Sequence, residues 1–151
     1  MSIPFDAEYG LVILRAEVYG PTGSVVLRLA LDTGATRTIV NTAMLVAVGY
    51  DPALTAERVQ VTTGSAIEYV PRVVLARIAA LGQERSAISV LAHTLPPSAG
   101  VDGLLGLDFL RGQRLCVDLP SSLSSLLPRW ALQRGAPGRA PNPTVGAPSR
   151  A

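Results

Sequence analysis

The residue in this sequence best placed to do chemistry is Asp32. It follows an apolar run, Leu29-Ala30-Leu31, and opens the tetrapeptide Asp32-Thr33-Gly34-Ala35. An acid at the end of a buried strand, followed by a hydroxyl residue and a glycine, has two readings. In the structural one, Asp32 accepts backbone hydrogen bonds in an Asx-type turn and Gly34 takes a positive φ. In the chemical one, Asp32 is a general acid or base. Hydrolysis without a covalent intermediate needs two such groups, one carboxylate taking a proton from water while a protonated acid polarises the carbonyl oxygen. Two carboxyl groups sharing a site cannot both ionise cheaply, so a pair of them holds one proton over a wide pH range. A second feature lies far down the chain: Leu104-Leu105-Gly106, two large aliphatics and a glycine after Asp102-Gly103.

Composition removes most other chemistries. All 13 basic residues are Arg, so a phosphate-cradling Walker loop, a Schiff-base lysine and a pyridoxal site lack their essential residue. One His, His93, and one Cys, Cys116, supply neither a zinc ligand set nor an intrachain disulfide, which suits a reducing compartment. A Cys116–His93 nucleophile pair is set aside because Cys116 sits in an apolar strand pattern and is expected to be buried. A serine triad would also need His93, which lies in a Pro-rich loop with no nucleophile-elbow pattern nearby. The net charge of +2 invites a nucleic-acid reading, but up to Asp118 nine Arg face eleven Asp and Glu. The basicity resides in four dispersed Arg of the C-terminal end, the pattern of a solvated tail. Asp6 and Glu8 stand where a signal peptide would carry positive charge, and no uncharged apolar stretch reaches the ~18 residues of a membrane span. The expected setting is cytoplasmic, with neither membrane nor nucleic acid as partner.

The elements that must position Asp32 read as strands. At 151 residues and 48% apolar content the chain has the size of one folded domain. Tyr9 to Tyr19 alternates, with Val12, Leu14, Ala16 and Val18 on one face and Arg15 and Glu17 on the other. Gly20-Pro21-Thr22-Gly23 turns the chain into a second strand, Ser24 to Leu31. A short strand, Thr38 to Val40, precedes Asn41, which caps a helical turn over Ala43–Ala47 that Gly49 stops. Glu57 to Thr63 and Ile67 to Ile78 form a second hairpin around a Thr63-Gly64-Ser65 tip, suited to act as a lid. Ala79 to Leu91 holds a Gly82 turn and a strand, Leu104 to Leu110 is short and helical, and Leu115 to Leu119 is the last strand. The domain is expected over 1–119, with a Leu-rich extension over 120–133. A tail over 134–151, rich in Pro, Gly, Ala and Arg, cannot bury enough surface to order itself.

The Asp32-Thr33-Gly34-Ala35 segment after a strand, a glycine-tipped hairpin next, and Leu104-Leu105-Gly106 leading into a short helix together resemble the aspartic proteases of the retroviral type, the retropepsins. The run Gly106-Leu107-Asp108-Phe109-Leu110, followed by Arg114-Leu115-Cys116-Val117-Asp118-Leu119, is similar to the DNA-damage-inducible ubiquitin-shuttle proteases and their bacterial single-domain relatives. The resemblance covers roughly Tyr9 to Leu119. It implies an all-β, closed-barrel acid-protease fold with a flap hairpin and one short C-terminal helix. Because the chain carries one motif where pepsin-like enzymes carry two, it also implies a homodimer whose two copies of Asp32 meet on the two-fold axis.

By this resemblance Asp32 is the catalytic acid, Thr33 braces the paired loops, Gly34 admits the substrate backbone, and Ala35 completes the loop. Thr62, Thr63, Gly64, Ser65, Ala66 and Ile67 form the flap, and Leu104, Leu105 and Gly106 support the site from below. Two positions depart from the retroviral pattern, which has an acid after the motif's Ala and an Arg after the later Gly. Thr36 and Leu107 stand there, so that intrachain pair is absent. The expected activity is that of an aspartic endopeptidase on extended peptide or unfolded protein, needing no metal or organic cofactor. Apolar residues should flank the cleaved bond, because aliphatics such as Ile67, Val101 and Leu104 are expected to line the groove. The alternative is a retropepsin-like dimerisation or peptide-binding module with little or no proteolysis.

Overall fold

A computed structural model of the chain describes residues 2–6, 10–62 and 66–119. Seven strands lie among them: β1 (Ile13–Gly20), β2 (Gly23–Leu31), β3 (Ile39–Val40), β4 (Arg58–Thr62), β5 (Ile67–Ala80), β6 (Gln83–Ala92) and β7 (Gly103–Leu105). Two short helices, α1 (Thr42–Ala47) and α2 (Leu107–Leu110), and 3-10 turns at Pro52–Leu54 and Pro97–Ala99 complete the described elements. The predicted strand start at Tyr9, the hairpin tip Thr63-Gly64-Ser65, the Leu-rich extension over 120–133 and the tail over 134–151 lie outside the described residues.

Six strands close into a ring in the order β1-β2-β7-β3-β6-β5, and β5 returns to β1 through pairs such as Val18↔Ile78. Closure gives each of the six two neighbours over part of its length, although β2 before Leu29 and β6 before Leu91 pair on one side only. The fourteen residues of β5 serve two structures. Its first five, Ile67–Pro71, pair with β4 in a hairpin that stands out from the ring, and the remainder pair with β6 and β1.

The ring is filled by the inward face of each strand. Leu14, Ala16 and Val18 of β1 alternate inward as their spacing predicts, and Leu27, Leu29, Val40, Val90 and Leu105 meet them in a dry core. Within the first hairpin, the Ser24 and Tyr19 hydroxyls each donate to the Glu17 carboxylate at 2.7 Å and hold it below the usual carboxylate range. That stabilisation is present at neutral pH and is lost as pH falls through the depressed value of the folded state.

The inward phase of β5 changes midway: Val73 and Leu75 point in, and then Ile78 and Ala80. At the break the Ala76 amide donates to the Tyr50 hydroxyl at 2.7 Å, and that hydroxyl donates onward to the Tyr19 carbonyl at 2.8 Å. Tyr50 thus continues the β1–β5 seam where the two strands part. Tyr50→Phe is expected to cost about 1–3 kcal/mol, two hydrogen bonds at roughly 0.5–1.5 kcal/mol each. Urea unfolding of the two proteins measures it, and an unchanged midpoint would mean the hydroxyl contributes nothing.

Three expectations need correction. Leu104 and Leu105 belong to strand β7, and only Leu107–Leu110 is helical. Gly106 is extended, at φ −93° and ψ −179°, and separates the two elements. Residues 115–119 carry no strand, and Leu115, Val117 and Leu119 are exposed. Their apolar alternation has the period of a strand, but a strand also needs a paired neighbour, and none of β1–β7 pairs with them. Cys116, expected to be buried, is exposed and free for the same reason.

Candidate active site

Asp32 leaves the end of β2 through a hydrogen bond from its own amide to the Leu105 carbonyl on β7, 3.0 Å long. Its side chain then organises the loop it opens. Oδ1 accepts from the Gly34 amide at 2.8 Å and the Ala35 amide at 3.2 Å. This is the Asx-type turn, but Gly34 is not among the glycines of positive φ. A Cβ on Gly34 would lie 3.2 Å from Oδ1, so glycine there keeps the approach to the carboxylate open. Both side-chain bonds fall on Oδ1, which leaves Oδ2 without a donor among the described residues. Thr33 and Gly34 are exposed, and Asp32 and Ala35 are half-buried. The carboxylate is therefore fixed by one oxygen and available through the other.

The far side of the loop is clamped to α2. The Ala35 carbonyl accepts from the Leu107 amide at 2.9 Å. Thr38, fully buried, donates its amide and its hydroxyl to the Asp108 carboxylate at 2.9 and 2.7 Å, and its hydroxyl oxygen accepts from the Gly106 amide at 3.1 Å. Asp108 also accepts from the Phe109 amide at 2.9 Å. The Arg85 guanidinium holds the other end of α2 by donating to the Phe109 and Arg111 carbonyls. Close approach of backbone to backbone makes this clamp possible. A Cβ on Gly106 would meet the Arg37 carbonyl carbon at 2.6 Å, and one on Gly103 would strike the Ile39 carbonyl oxygen. Gly106→Ala is expected to cost about 2 kcal/mol through overpacking and to displace the loop. Thermal unfolding and activity together test this, and a variant of unchanged melting temperature would show that the backbone yields freely.

Above β7 the β4–β5 hairpin covers a cavity of about 170 Å³. Its walls are Ile39, Val61, Val70, Leu91, Leu95 and Leu104, and Glu68 and His93 complete it. Leu104 thus lies between the site and the hairpin, whereas its neighbour Leu105 is fully buried in the ring core. Of the aliphatics expected to line the groove, Leu104 lines the cavity and Ile67 and Val101 do not. Thr62, Ala66 and Ile67 are exposed on the hairpin, and Thr62 pairs with Ile67 at its described end. A second, larger depression of about 350 Å³ adjoins the loop and is lined by Thr33, Thr36, Leu107, Leu110 and Leu115 among others. Thr36 and Leu107, which replace the charged pair of the retroviral pattern, stand here together.

The structure joins Asp32, Thr33, Gly34 and Ala35 in one loop and sets Leu105 and Gly106 against it. Nothing in the sequence assigns Asp108 a role, and Thr38 reads there only as a strand start. The signal for them was weak, since an acid in the first turn of a helix ordinarily reads as a partner for that helix's own amides. Among the described residues no group of three or more His, Cys, Asp or Glu is placed to hold a metal ion.

Residues 23–112 match the family described as "gag-polyprotein putative aspartyl protease". The matched span runs from β2 through α2 and contains both the Asp32 loop and Leu104-Leu105-Gly106. Among solved structures, the chain is similar to a retropepsin-like aspartic protease from Rickettsia conorii, with a TM-score of 0.59 and 19% sequence identity over 77% of this chain and 82% of that one. No curated protein matches the sequence.

Proposed function

The chain belongs to the retropepsin-like aspartyl protease family of the gag-polyprotein type, and from that membership we propose that it is an endopeptidase whose catalytic acid is Asp32. One Asp-Thr-Gly-Ala motif in the chain supplies one carboxyl group, and the chemistry needs two. The second is Asp32 of another copy, which makes the active form a symmetric homodimer. The pair holds one proton. The ionised carboxylate takes a proton from water as the water oxygen bonds to the peptide carbonyl carbon, and the protonated acid gives its proton to the carbonyl oxygen. Collapse of the resulting diol returns a proton to the amide nitrogen and breaks the C–N bond.

The observation that carries this reading is the one-sided holding of Asp32, with Oδ1 bound by two backbone amides and Oδ2 without an intrachain donor among the described residues. Asp51 is also held through one oxygen, so what sets Asp32 apart is that its open oxygen stands at the head of the Asp-Thr-Gly-Ala motif, beside an exposed threonine and glycine. Thr33 and Gly34 then face the second copy and the substrate, and the β4–β5 hairpin covers an extended peptide. The run from Gly106 to Leu119 supports the shuttle-protease branch and its bacterial relatives, and free Cys116 suits a cytoplasmic setting.

The rival, a peptide-binding or dimerisation module of the same fold, draws on Thr36 and Leu107, where the retroviral charge pair is missing. Digestion of an unstructured peptide library from about pH 4 to about pH 7, with sedimentation of the same samples, separates the two. A dimer that cleaves supports the endopeptidase, and a stable dimer that cleaves nothing at any pH supports the module.

A further inference from the structure

The single histidine of the chain has found a partner. His93, just past the end of β6, places Nδ1 3.7 Å from Oε2 of Glu68 on β5. The two side chains are 30% and 48% exposed, so the contact is partly shielded from water. It spans two bodies: Glu68 belongs to the projecting hairpin, opposite Val61 in the β4–β5 register, and the His93 amide donates to the Val40 carbonyl of the ring. Arg72 and Glu57 form an ion pair at 3.2 Å, but both lie at the hairpin's base. Glu68–His93 is nearer the tip, and the two are the polar residues that line the 170 Å³ cavity.

The cavity adjoins the Asp32 loop, because Leu104 in its wall precedes Leu105, whose carbonyl accepts the Asp32 amide. Leu91 and Val70, though buried, are not part of the ring core, so they form a separate apolar surface under the hairpin. An aliphatic cavity of about 150 Å³ is large enough for a benzene molecule. This one therefore holds one medium-sized apolar side chain, provided the hairpin keeps its height above the ring.

We propose that Glu68 and His93 are positioning residues that clasp the β4–β5 hairpin to the ring, holding the cavity to the size of one branched aliphatic side chain of the substrate. The proposal rests on the peptidase reading for the identity of its ligand, an extended peptide. The pair acts through the hairpin, with no contact to the reacting bond. Its loss lets the hairpin rise and admits larger side chains.

The test is a set of peptides carrying Ala, Val, Leu or Trp in turn at each position flanking the cleaved bond. Cleavage is followed for wild type, Glu68→Gln, His93→Gln and the exchanged double variant Glu68→His with His93→Glu. At one position wild type is expected to favour Leu over both Ala and Trp by roughly tenfold or more in kcat/KM. Each single variant should relax the preference for Leu over Trp, chiefly through KM, and the exchanged variant should restore it. Val61→Phe, which fills the cavity, should turn the preference toward Ala. Equal preferences in all variants, or equal losses for every peptide, would overturn the clasp. If wild type cleaves nothing, the peptidase reading fails, and the same peptides are measured by fluorescence anisotropy. A Leu preference in Kd that relaxes in the single variants then supports the clasp, and a flat series overturns it.

Discussion

Asp32→Asn is expected to lower kcat by about 10³-fold or more while the protein stays folded and assembled. General acid–base work alone is worth roughly 10²–10⁴-fold, and in a symmetric dimer the substitution removes both acids at once. Folding is spared because Asn keeps an oxygen where Oδ1 accepts from the Gly34 and Ala35 amides at 2.8 and 3.2 Å. What Asn lacks is an ionisable group: it can neither take a proton from water nor give one to the carbonyl oxygen. Single-turnover cleavage of a library-derived peptide by both proteins, with sedimentation as a control, measures the effect. Residual activity within about tenfold of wild type would move the chemistry away from Asp32. An inactive variant that has also lost its dimer would assign the loop a role in assembly.

Asp108→Ala has the largest expected effect on stability, a loss of about 3–5 kcal/mol. The reason is the number of donors left behind. The Thr38 amide and hydroxyl and the Phe109 amide all give to this carboxylate at 3.0 Å or less, and the Thr38 side chain has no exposure to water. A buried donor stripped of its acceptor costs about 1–3 kcal/mol. Asp108→Asn should cost less, since the amide oxygen still accepts but its nitrogen faces a donor. Asp102→Ala provides the comparison, since its Oδ2 accepts one exposed amide, that of Arg28, at 2.8 Å, and the expected cost is about 1 kcal/mol. Urea unfolding of the three variants should rank them in that order. Equal midpoints for Asp108→Ala and wild type would refute the clamp as a source of stability.

The two variants probe one construction from opposite ends. The Asp32 loop ends at Thr38, and Thr38 is fastened to Asp108 across 70 residues of sequence. Activity of Asp108→Ala at a temperature where it remains folded should therefore fall more than that of Asp102→Ala. Loop position, more than global stability, is then what the catalytic step requires.

Local rules were enough for much of this molecule. The β1 alternation, the turn at Gly20–Gly23 and the Asn41 cap of α1, whose side chain accepts from the Ala43 amide, all depend on neighbours in sequence. The Leu81-Gly82 turn of the β5–β6 hairpin is nearly as local, with φ of 54° and 68° at its two residues. The Asp32 motif was also legible, because an acid after an apolar strand and before a glycine has few uses. Leu104-Leu105-Gly106 was legible as a segment and misassigned as an element, since pairing with β2 and β3 from distant parts of the chain makes it a strand.

The candidate carboxylate, Asp32, was thus legible in the sequence, and its support was not. Thr38–Asp108, Glu68–His93 and the bond of the Tyr50 hydroxyl to Ala76 join residues between 25 and 70 positions apart. None of these side chains has a spacing or neighbour that announces its partner. Only the tertiary fold brings these groups together: Thr38 is shut away from water and obliged to find its partner there, whereas Glu68, His93 and the Ala76 amide meet theirs while still partly exposed. Residues 115–119 likewise have a strand-like pattern and no strand to pair with, so the pattern alone makes no strand. Residue type and order set the chemistry available to this chain, and tertiary burial set which groups hold that chemistry in place.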